Sequence, residues 1–412
     1  MLRLWFATAL WKRVIAALLL GIVTGFLWGP EAESIKWIGD AFVRAIRMLV
    51  VPLVFLSLVA GVASIGDLRR LGAVGWRAML LFVVTGQIAV WLGIALGLIF
   101  APGTGLDTSA LNPGPTPVPA TTSAVEMILS IIPENPVAVM ASGQVLPLIV
   151  FAMLVGIGIV MAKEDGQPLA RLFDSGAVVM QKVTAIVMEL TPFGVFALMA
   201  WVAGTLGLDA LSALGQLVLL NYFGCLLLIA VVYTSIVRFM AKLPVMAFFR
   251  GIVDAVAVAY STASSNAALP ITLRCAQRNL GVSRPTSSFV VSLGATINMD
   301  GTAMYLGLAT IFGAQIFGVD LSFADYLLIS VLATLGSVGA AGIPGTGLIM
   351  MALVFGAVGV PLETIAFVAG VDRIMDMMRT ATNVTGDSAV TVAVATATGE
   401  IDRGVMISAD DV

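Results

Sequence analysis

Apolar and polar positions alternate along this chain on the scale of membrane crossings. Bilayer spans need about 20 apolar residues, and several runs approach that length. The first is Val14 to Trp28, preceded by Arg3, Lys12 and Arg13; no small-residue cleavage site follows it, so a retained first helix is expected. A second span is predicted over Met48 to Ile65, with Asp67, Arg69, Arg70 and Arg77 after it, and a third over Met79 to Phe100, ending in Ala101-Pro102-Gly103. The proline-rich stretch Pro113 to Pro119 reads as a flexible extramembrane connection. Ile131-Ile132-Pro133-Glu134-Asn135-Pro136 leads into a fourth run ending near Met161, and two further spans follow, Val178 to Leu206 and Leu214 to Val237. The pattern predicts an all-α polytopic membrane protein.

Basic residues set the expected orientation. They cluster at the N-terminus, after spans two, four and six, and at Arg274, Arg278 and Arg284. By the positive-inside rule both termini are expected to be cytoplasmic. No lysine or arginine occurs between Arg284 and Arg373, although two long apolar stretches lie there. The crossings balance only if two segments enter and leave on the same side: a hairpin at about 247–280 on the cytoplasmic face, and one at about 322–357 on the external face. Their expected tips are Ser261 to Pro270 and Ser337 to Gly347, rich in small residues with one proline each. Non-helical backbone at membrane depth is tolerated only where it is buried or lines a cavity. Small residues also serve close helix packing, so either tip alone is ambiguous.

Against this background one polar stretch stands out, Asp372 to Asp387. At about 100° per residue, Asp372, Arg373, Asp376, Arg379, Thr380, Asn383 and Asp387 fall within an arc of roughly 120° on one helix. Each charge at bilayer depth costs at least about 2.5 to 3.5 kcal/mol, so the stripe needs a buried aqueous or ligand-filled site to face. Mutual neutralisation of Asp376 and Arg379 would account for that pair, but not for Asn383 and Asp387 beyond it. A second polar cluster, Gly294-Ala295-Thr296-Ile297-Asn298-Met299-Asp300-Gly301-Thr302, would unwind an apolar helix and offer the all-oxygen ligands that hard cations require. A polar kink packed against its neighbours is the other reading of it.

Composition adds exclusions. Hydrophobic residues make up 59% of the 412 and charged residues 11%, and mean hydropathy is +1.05, values far from those of a soluble domain. A net charge of -3 argues against a nucleic-acid partner, and the absence of histidine removes histidine-based catalysis and proton relays. Cys225 and Cys275 form neither a disulfide framework nor a zinc site. An intramembrane aspartyl protease built on Asp300 and Asp387 would need the two carboxylates to share a proton; it lacks the expected Gly-x-Gly-Asp pattern and leaves Arg379 without a purpose.

Asn298-Met299-Asp300-Gly301-Thr302, Ser264-Ser265-Asn266-Ala267-Ala268-Leu269-Pro270, Ala341-Gly342-Ile343-Pro344-Gly345, the Asp376-to-Asp387 stripe, Ile131 to Pro136 and Thr191-Pro192-Phe193-Gly194-Val195-Phe196 together resemble the sodium-coupled glutamate/aspartate transporter family, the dicarboxylate/amino acid:cation symporters. The likeness covers nearly the whole chain. It implies eight transmembrane helices plus two opposed re-entrant helical hairpins, with inverted repeats, in a homotrimer. Residues 1–76 (helices 1 and 2) and 102–210 (helices 4 and 5) would be scaffold. Helix 3 (77–101) and 211–412 would form a transport domain moving like an elevator: helix 6, hairpin 1 (about 247–280), helix 7 (about 286–318), hairpin 2 (about 322–357) and helix 8 (about 361–400). Hairpin 2 would be the external gate.

The resemblance also implies site roles. Arg379 would pair with a substrate's distal carboxylate and Asp376 with its α-ammonium group. Thr302, Thr380 and Asn383 would add polar contacts, and Ser265 with the backbone near Gly342 and Gly347 would hold the α-carboxylate. Sodium would be bound by Asp387 with carbonyls of Gly294, Asn298 and Asn383; by carbonyls near Thr296, Ser337, Val338 and Ala340; and by Asn298, Asp300 and Thr85. Two or three co-transported sodium ions, an acidic amino-acid substrate, a lipid bilayer, a prokaryotic inner membrane and no enzymatic activity follow. A C4-dicarboxylate or proton-coupled glutamate symporter of the same family is the alternative. An anion leak can accompany transport in such proteins.

This chain departs from the family pattern at several positions. Ala263 stands where some prokaryotic members carry an arginine, a charge Arg373 would supply instead. Gly86 follows Thr85 where a second hydroxyl is frequent, and Asn266 and Ala268 replace hydroxyl residues of the first tip. Leu306 occupies the position of a proton-carrying glutamate in vertebrate members, which removes proton transport through that position.

Overall fold

The computed structural model describes residues 8–68, 72–106, 132–339, 342 and 344–407. The proline-rich stretch Pro113 to Pro119 and Ala340 lie outside them. Among the described residues there is no strand, only an isolated bridge between Val282 and Ile401.

Helix α1, Leu10–Trp28, is followed by α2, Lys36–Leu68. The latter starts a dozen residues before the predicted span because helical structure continues where hydropathy stops. Lys36 pairs with Asp40 one turn on, at 3.2 Å, and lies 4.8 Å from the centre of the Trp201 ring. Helix α3 is Ala73–Phe100. Next come the short α4, Pro136–Ser142, capped by the Asn135 side chain on the backbone N–H groups of Val137 and Ala138, and α5, Val145–Ala162.

The single span expected over Val178 to Leu206 is two helices. Helix α6, Gln167–Met188, ends before Glu189-Leu190, and α7, Thr191–Trp201, begins with Pro192 in its first turn. Proline has no N–H to give and its ring clashes with the preceding turn, so it starts a helix rather than continuing one. The Thr191 hydroxyl, donating to the Met188 carbonyl at 2.6 Å, satisfies the end of α6. Wide π-type turns at Val202–Leu206 join α7 to α8, Gly207–Leu227, which continues through similar turns at Leu228–Tyr233.

Two helical hairpins follow. The first pairs α9, Val245–Thr262, with α10, Ser265–Arg274; Ser264 caps α10 by accepting the Ala267 N–H. The second pairs α13, Phe323–Gly339, with α14, Thr346–Val358. Between them the predicted unwinding occurs: α11, Arg284–Ile297, and α12, Asp300–Phe317, are separated by Asn298-Met299. Helix α15, Glu363–Thr398, carries the polar stripe, and α16, Arg403–Ile407, closes the described chain.

Apolar side chains cover much of the exterior, among them Leu19, Leu20, Val23 and Leu27 on α1 and Ile88 and Ile99 on α3. Four helical stretches are long and apolar enough to cross a membrane: Leu10–Ala63, Ala73–Phe100, Thr191–Met240 and Val245–Thr262. The chain is a multi-pass membrane protein. Its buried centre is α12 and α15; α15 is enclosed from Thr364 to Ala395 except at Ala366 and Ile374. Helices α1, α2, α5, α6 and α7 pack on one another, while α3 packs chiefly on α12, the first hairpin packs on α15 and α11, and the second packs on α12, α15, α3 and α2. The α3–α12 approach depends on missing side chains, as small residues do at helix contacts in membranes. A Cβ on Gly93 would collide with the Met304 carbonyl oxygen, and one on Gly307 would lie 2.7 Å from that of Val90.

Candidate functional site

Three polar ends converge on the middle of α15: the two hairpin tips and the α11–α12 break. The tips touch. The Gly342 carbonyl accepts both the Ser264 hydroxyl, at 2.7 Å, and the Asn266 N–H, at 3.0 Å. The expected Ser265 is buried beside them, but Ser264 makes the contact.

Below the tips lies a cluster of balanced charge. The Arg379 guanidinium is fully buried, with Nη2 2.9 Å from Asp376 Oδ1 and 3.0 Å from Asp372 Oδ1. It stacks 3.8 Å from the centre of the Tyr305 ring, while the Tyr305 hydroxyl donates to Asp372 Oδ1 at 2.9 Å. Cation–π stacking is worth more when desolvated, about 2 kcal/mol or more. Asp376 Oδ2 accepts the Gly345 N–H of the second hairpin at 3.0 Å and lies 4.0 Å from Arg373 Nη1. Arg373 Nη2 donates to the Thr262 carbonyl at the end of α9, at 3.0 Å, a direct link between the last helix and the first hairpin. Two carboxylates thus face two guanidiniums. Arg379 still carries unused donors: its Nε and Nη1 have no hydrogen-bond partner among the described residues. Gly347 leaves room at this point, since a Cβ there would lie 2.9 Å from Arg379 Nη2.

One to two turns further along α15 the chemistry changes. Asn383 Oδ1 accepts the Gly301 N–H, a donor freed by the helix break, at 2.8 Å. Asp387 Oδ1 accepts from Asn298 Nδ2 at 2.9 Å, and the Thr85 hydroxyl approaches Asn298 Oδ1 at 3.4 Å. Asp300 Oδ2 accepts the Tyr233 hydroxyl at 2.8 Å. Gly294 abuts Asp387, and its carbonyl also accepts the Asn298 N–H. Asp300 and Asp387 are each about 1% exposed, and all their side-chain partners are neutral. No lysine or arginine pairs with either among the described residues.

The expected site residues therefore separate into groups. Gly347, Asp376 and Arg379 meet directly, with Gly342 at the tips. Asn383, Thr302, Asn298, Asp300, Asp387, Gly294 and Thr85 gather around the α11–α12 break. The Thr380 hydroxyl turns back to its own helix, donating to the Asp376 carbonyl at 2.8 Å. Thr296 and Ser337 do likewise, onto Leu293 and Thr334. The ligands expected near Thr296, Ser337, Val338 and Ala340 are backbone carbonyls rather than these hydroxyls, and Ala340 lies outside the described residues. Tyr233, Tyr305 and the direct part of Asp372 were not anticipated. A lone tyrosine in an apolar run reads as core, and only the buried acid it meets reveals its polar role.

The Sodium:dicarboxylate symporter family model matches residues 10–397. The chain is 38% identical over 95% of its length to the proton/glutamate-aspartate symporter of Escherichia coli K12, covering 93% of that protein. It is 35% identical to the proton/sodium-glutamate symport protein of Geobacillus stearothermophilus, over 91% of each chain. Identity to the C4-dicarboxylate transport protein of Bacillus subtilis 168 is 33%, over 96% of this chain and 95% of that one.

Proposed function

Because the chain belongs to the Sodium:dicarboxylate symporter family, whose members are transporters, we propose that it is a secondary active transporter coupling uptake of aspartate or glutamate to inward sodium movement. One observation carries this reading: two adjacent buried clusters of unlike charge balance. Asp372 and Asp376 are matched by Arg373 and Arg379, with guanidinium donors to spare. Among the described residues, Asp300 and Asp387 are matched by nothing basic. An unpaired buried carboxylate costs several kcal/mol, so the second cluster calls for a cation before its helices can cross the bilayer.

Arg379 would take the substrate's distal carboxylate through donors that are now unused, a task suited to a guanidinium. Asp376 would take the α-ammonium group, exchanging its present bond to the Gly345 N–H for it and freeing that N–H, with those near Gly342 and Gly347, for the α-carboxylate. Thr302, Thr380 and Asn383 would complete the pocket. Sodium would bind at Asp387 with Gly294, Asn298 and Asn383 carbonyls, and at Thr85, Asn298 and Asp300, giving two or three ions with the group near Thr296, Ser337, Val338 and Ala340. Hairpin 2, α13–α14, would open and close over the site. The helices packed with α12 and α15 would move as one body against α1, α2 and α5 to α7, in a homotrimer of the prokaryotic inner membrane with cytoplasmic termini.

The proton-coupled alternative has an observation of its own. Gly86 supplies no hydroxyl at the Asp300 site, and the E. coli relative is named a proton symporter. The C4-dicarboxylate alternative meets Asp376, whose negative charge would oppose a second carboxylate where an ammonium would be welcomed. Competition against bound radiolabelled L-aspartate at fixed sodium tests this. L-glutamate is expected to displace the label and succinate to fail. Displacement by succinate at comparable concentration would make the protein a dicarboxylate carrier.

A further inference from the structure

Three consecutive residues of α3 face three different partners. Thr85 approaches Asn298. Gly86 leaves the space beside Asp300, where a Cβ would lie 3.6 Å from Oδ1 and 4.0 Å from the Thr334 methyl carbon of α13. Gln87 reaches α13 itself. Its Nε2 donates to the Thr334 hydroxyl at 2.7 Å and to the Ser330 carbonyl at 3.4 Å, and its Oε1 accepts the Ser330 hydroxyl at 2.6 Å. The amide is used at both ends. Ser330 and Thr334 are four residues apart and so share one helix face. The line continues toward the hairpin tip, because Thr334 donates to the Ser330 carbonyl at 2.9 Å and Ser337 to the Thr334 carbonyl at 2.7 Å.

A glutamine in a membrane helix needs partners, since hydrocarbon offers none. Helix packing alone would have been served by an apolar residue here, as it is by the Trp91–Phe323 contact between the same two helices, at 6.5 Å between ring centres. Other polar ties of the hairpin run elsewhere, its tip to Ser264 and Asn266, and Gly345 to Asp376. The Gln87 contact joins an arm of the hairpin to the same turn of α3 that meets the unbalanced acidic cluster.

We propose that Gln87, with Ser330 and Thr334, is a positioning clasp that makes the placement of hairpin 2 depend on what occupies the Thr85–Asn298–Asp300 cluster. This rests on the reading above that a cation binds at that cluster and that the hairpin moves. A change of spacing between α3 and α12 on cation binding is passed to α13 through two hydroxyls and an amide, rather than absorbed by sliding apolar side chains. Gln87 touches neither substrate nor ion; it acts through α13.

The test uses purified full-length protein and the variants Gln87→Leu, Ser330→Ala and Thr334→Ser, with radiolabelled L-aspartate binding measured across a sodium series at fixed pH and a pH series at fixed sodium. Allosteric couplings are commonly about 5- to 150-fold, so the cation-induced gain in aspartate affinity is expected to shrink at least about fivefold in Gln87→Leu and Ser330→Ala. Affinity at saturating cation should stay within about twofold, and Thr334→Ser, which keeps the hydroxyl, should retain the gain. Hydrogen–deuterium exchange of residues 329–339 gives a readout without substrate: cation-dependent protection present in the wild type and lost in both clasp-breaking variants. An unchanged gain in Gln87→Leu and Ser330→Ala, or a parallel loss of affinity at every cation concentration, overturns the clasp. A wild type that binds succinate instead of aspartate sinks only the substrate assignment, because the same comparison is then made with succinate. A wild type indifferent to both sodium and pH sinks coupling and clasp together.

Discussion

Arg379 is the residue on which the substrate reading turns, and its surroundings say what replacing it would do. Asp372, Asp376 and the Tyr305 ring all converge on one guanidinium, using its flat shape as much as its charge. Lysine would keep the charge but lose the fork and the stacking. We expect Arg379→Lys to weaken L-aspartate binding by at least about 30-fold, the lower end for breaking a buried charge pair. Arg379→Ala should in addition destabilise the protein by about 3 to 5 kcal/mol, because Asp372 loses its ion-pair partner and Asp376 keeps only Arg373, at 4.0 Å. Equilibrium binding and unfolding of both variants check this; aspartate affinity unchanged in Arg379→Lys would remove the residue from the site. The residues that sequence reading identified here were those whose cost in a bilayer is large and local: Asp372 to Asp387, Asn298 and Asp300. Tyr233 and Tyr305 escaped because an aromatic residue in an apolar run costs nothing until its hydroxyl needs a partner, and that partner comes from a distant part of the chain.

At the scale of elements, the break between α11 and α12 was legible because Asn298, Asp300 and Gly301 together disfavour continuous helix. Hydropathy failed over Val178 to Leu206, where the mean apolar character carries on past Lys182 and Glu189 through a change of helix, and Glu189 with Pro192 marks the boundary. The α3–α12 contact was equally hidden, since a glycine in an apolar run does not name what approaches it. Gly93→Ala is expected to push these helices apart at a cost of about 1 to 3 kcal/mol, the range for overpacking. Gly158→Ala on α5, where nothing lies within 4 Å, should be neutral or stabilising by up to about 1 kcal/mol through helix propensity. Thermal unfolding in one detergent compares the two; equal effects would refute the tight approach. A second element-scale prediction concerns the end of α15. Glu400 accepts the hydroxyls of Ser283, at 2.6 Å, and Thr286, and these bonds hold its carboxyl below the usual carboxylate range. The Ser283 N–H to Glu400 carbonyl bond and the Asp402 N–H to Gly281 carbonyl bond complete the tie. A depressed carboxyl contributes its stability above its unfolded value, about 4.3, and loses it as pH falls through the folded value. Exchange protection of residues 400–407 should hold from neutral pH down to about that value and fade below it. In Glu400→Gln it should be weaker and independent of pH; the same pH response in Glu400→Gln would assign it elsewhere.

For the whole molecule, an apolar exterior encloses a largely apolar interior with a polar centre along α15, and composition alone foretold the apolar exterior. What composition could not supply was the pairing of clusters around α15, which requires residues from α3, α8, the α11–α12 break and hairpin 2 to meet. Separations such as Thr85 to Asn298 or Tyr233 to Asp300 leave no periodic trace in a single sequence. The central claim, that the balanced cluster carries an acidic amino acid and the unbalanced one its coupling cation, is tested most directly by transport. Purified protein in sealed liposomes, given radiolabelled L-aspartate outside, is compared under an inward sodium gradient at equal pH and under an inward proton gradient without sodium. The account predicts accumulation driven by the sodium gradient, and its loss in Asp387→Asn and Arg379→Ala. Accumulation that follows the proton gradient and ignores sodium would contradict the cation assignment, and no accumulation under either gradient would contradict the substrate assignment as well.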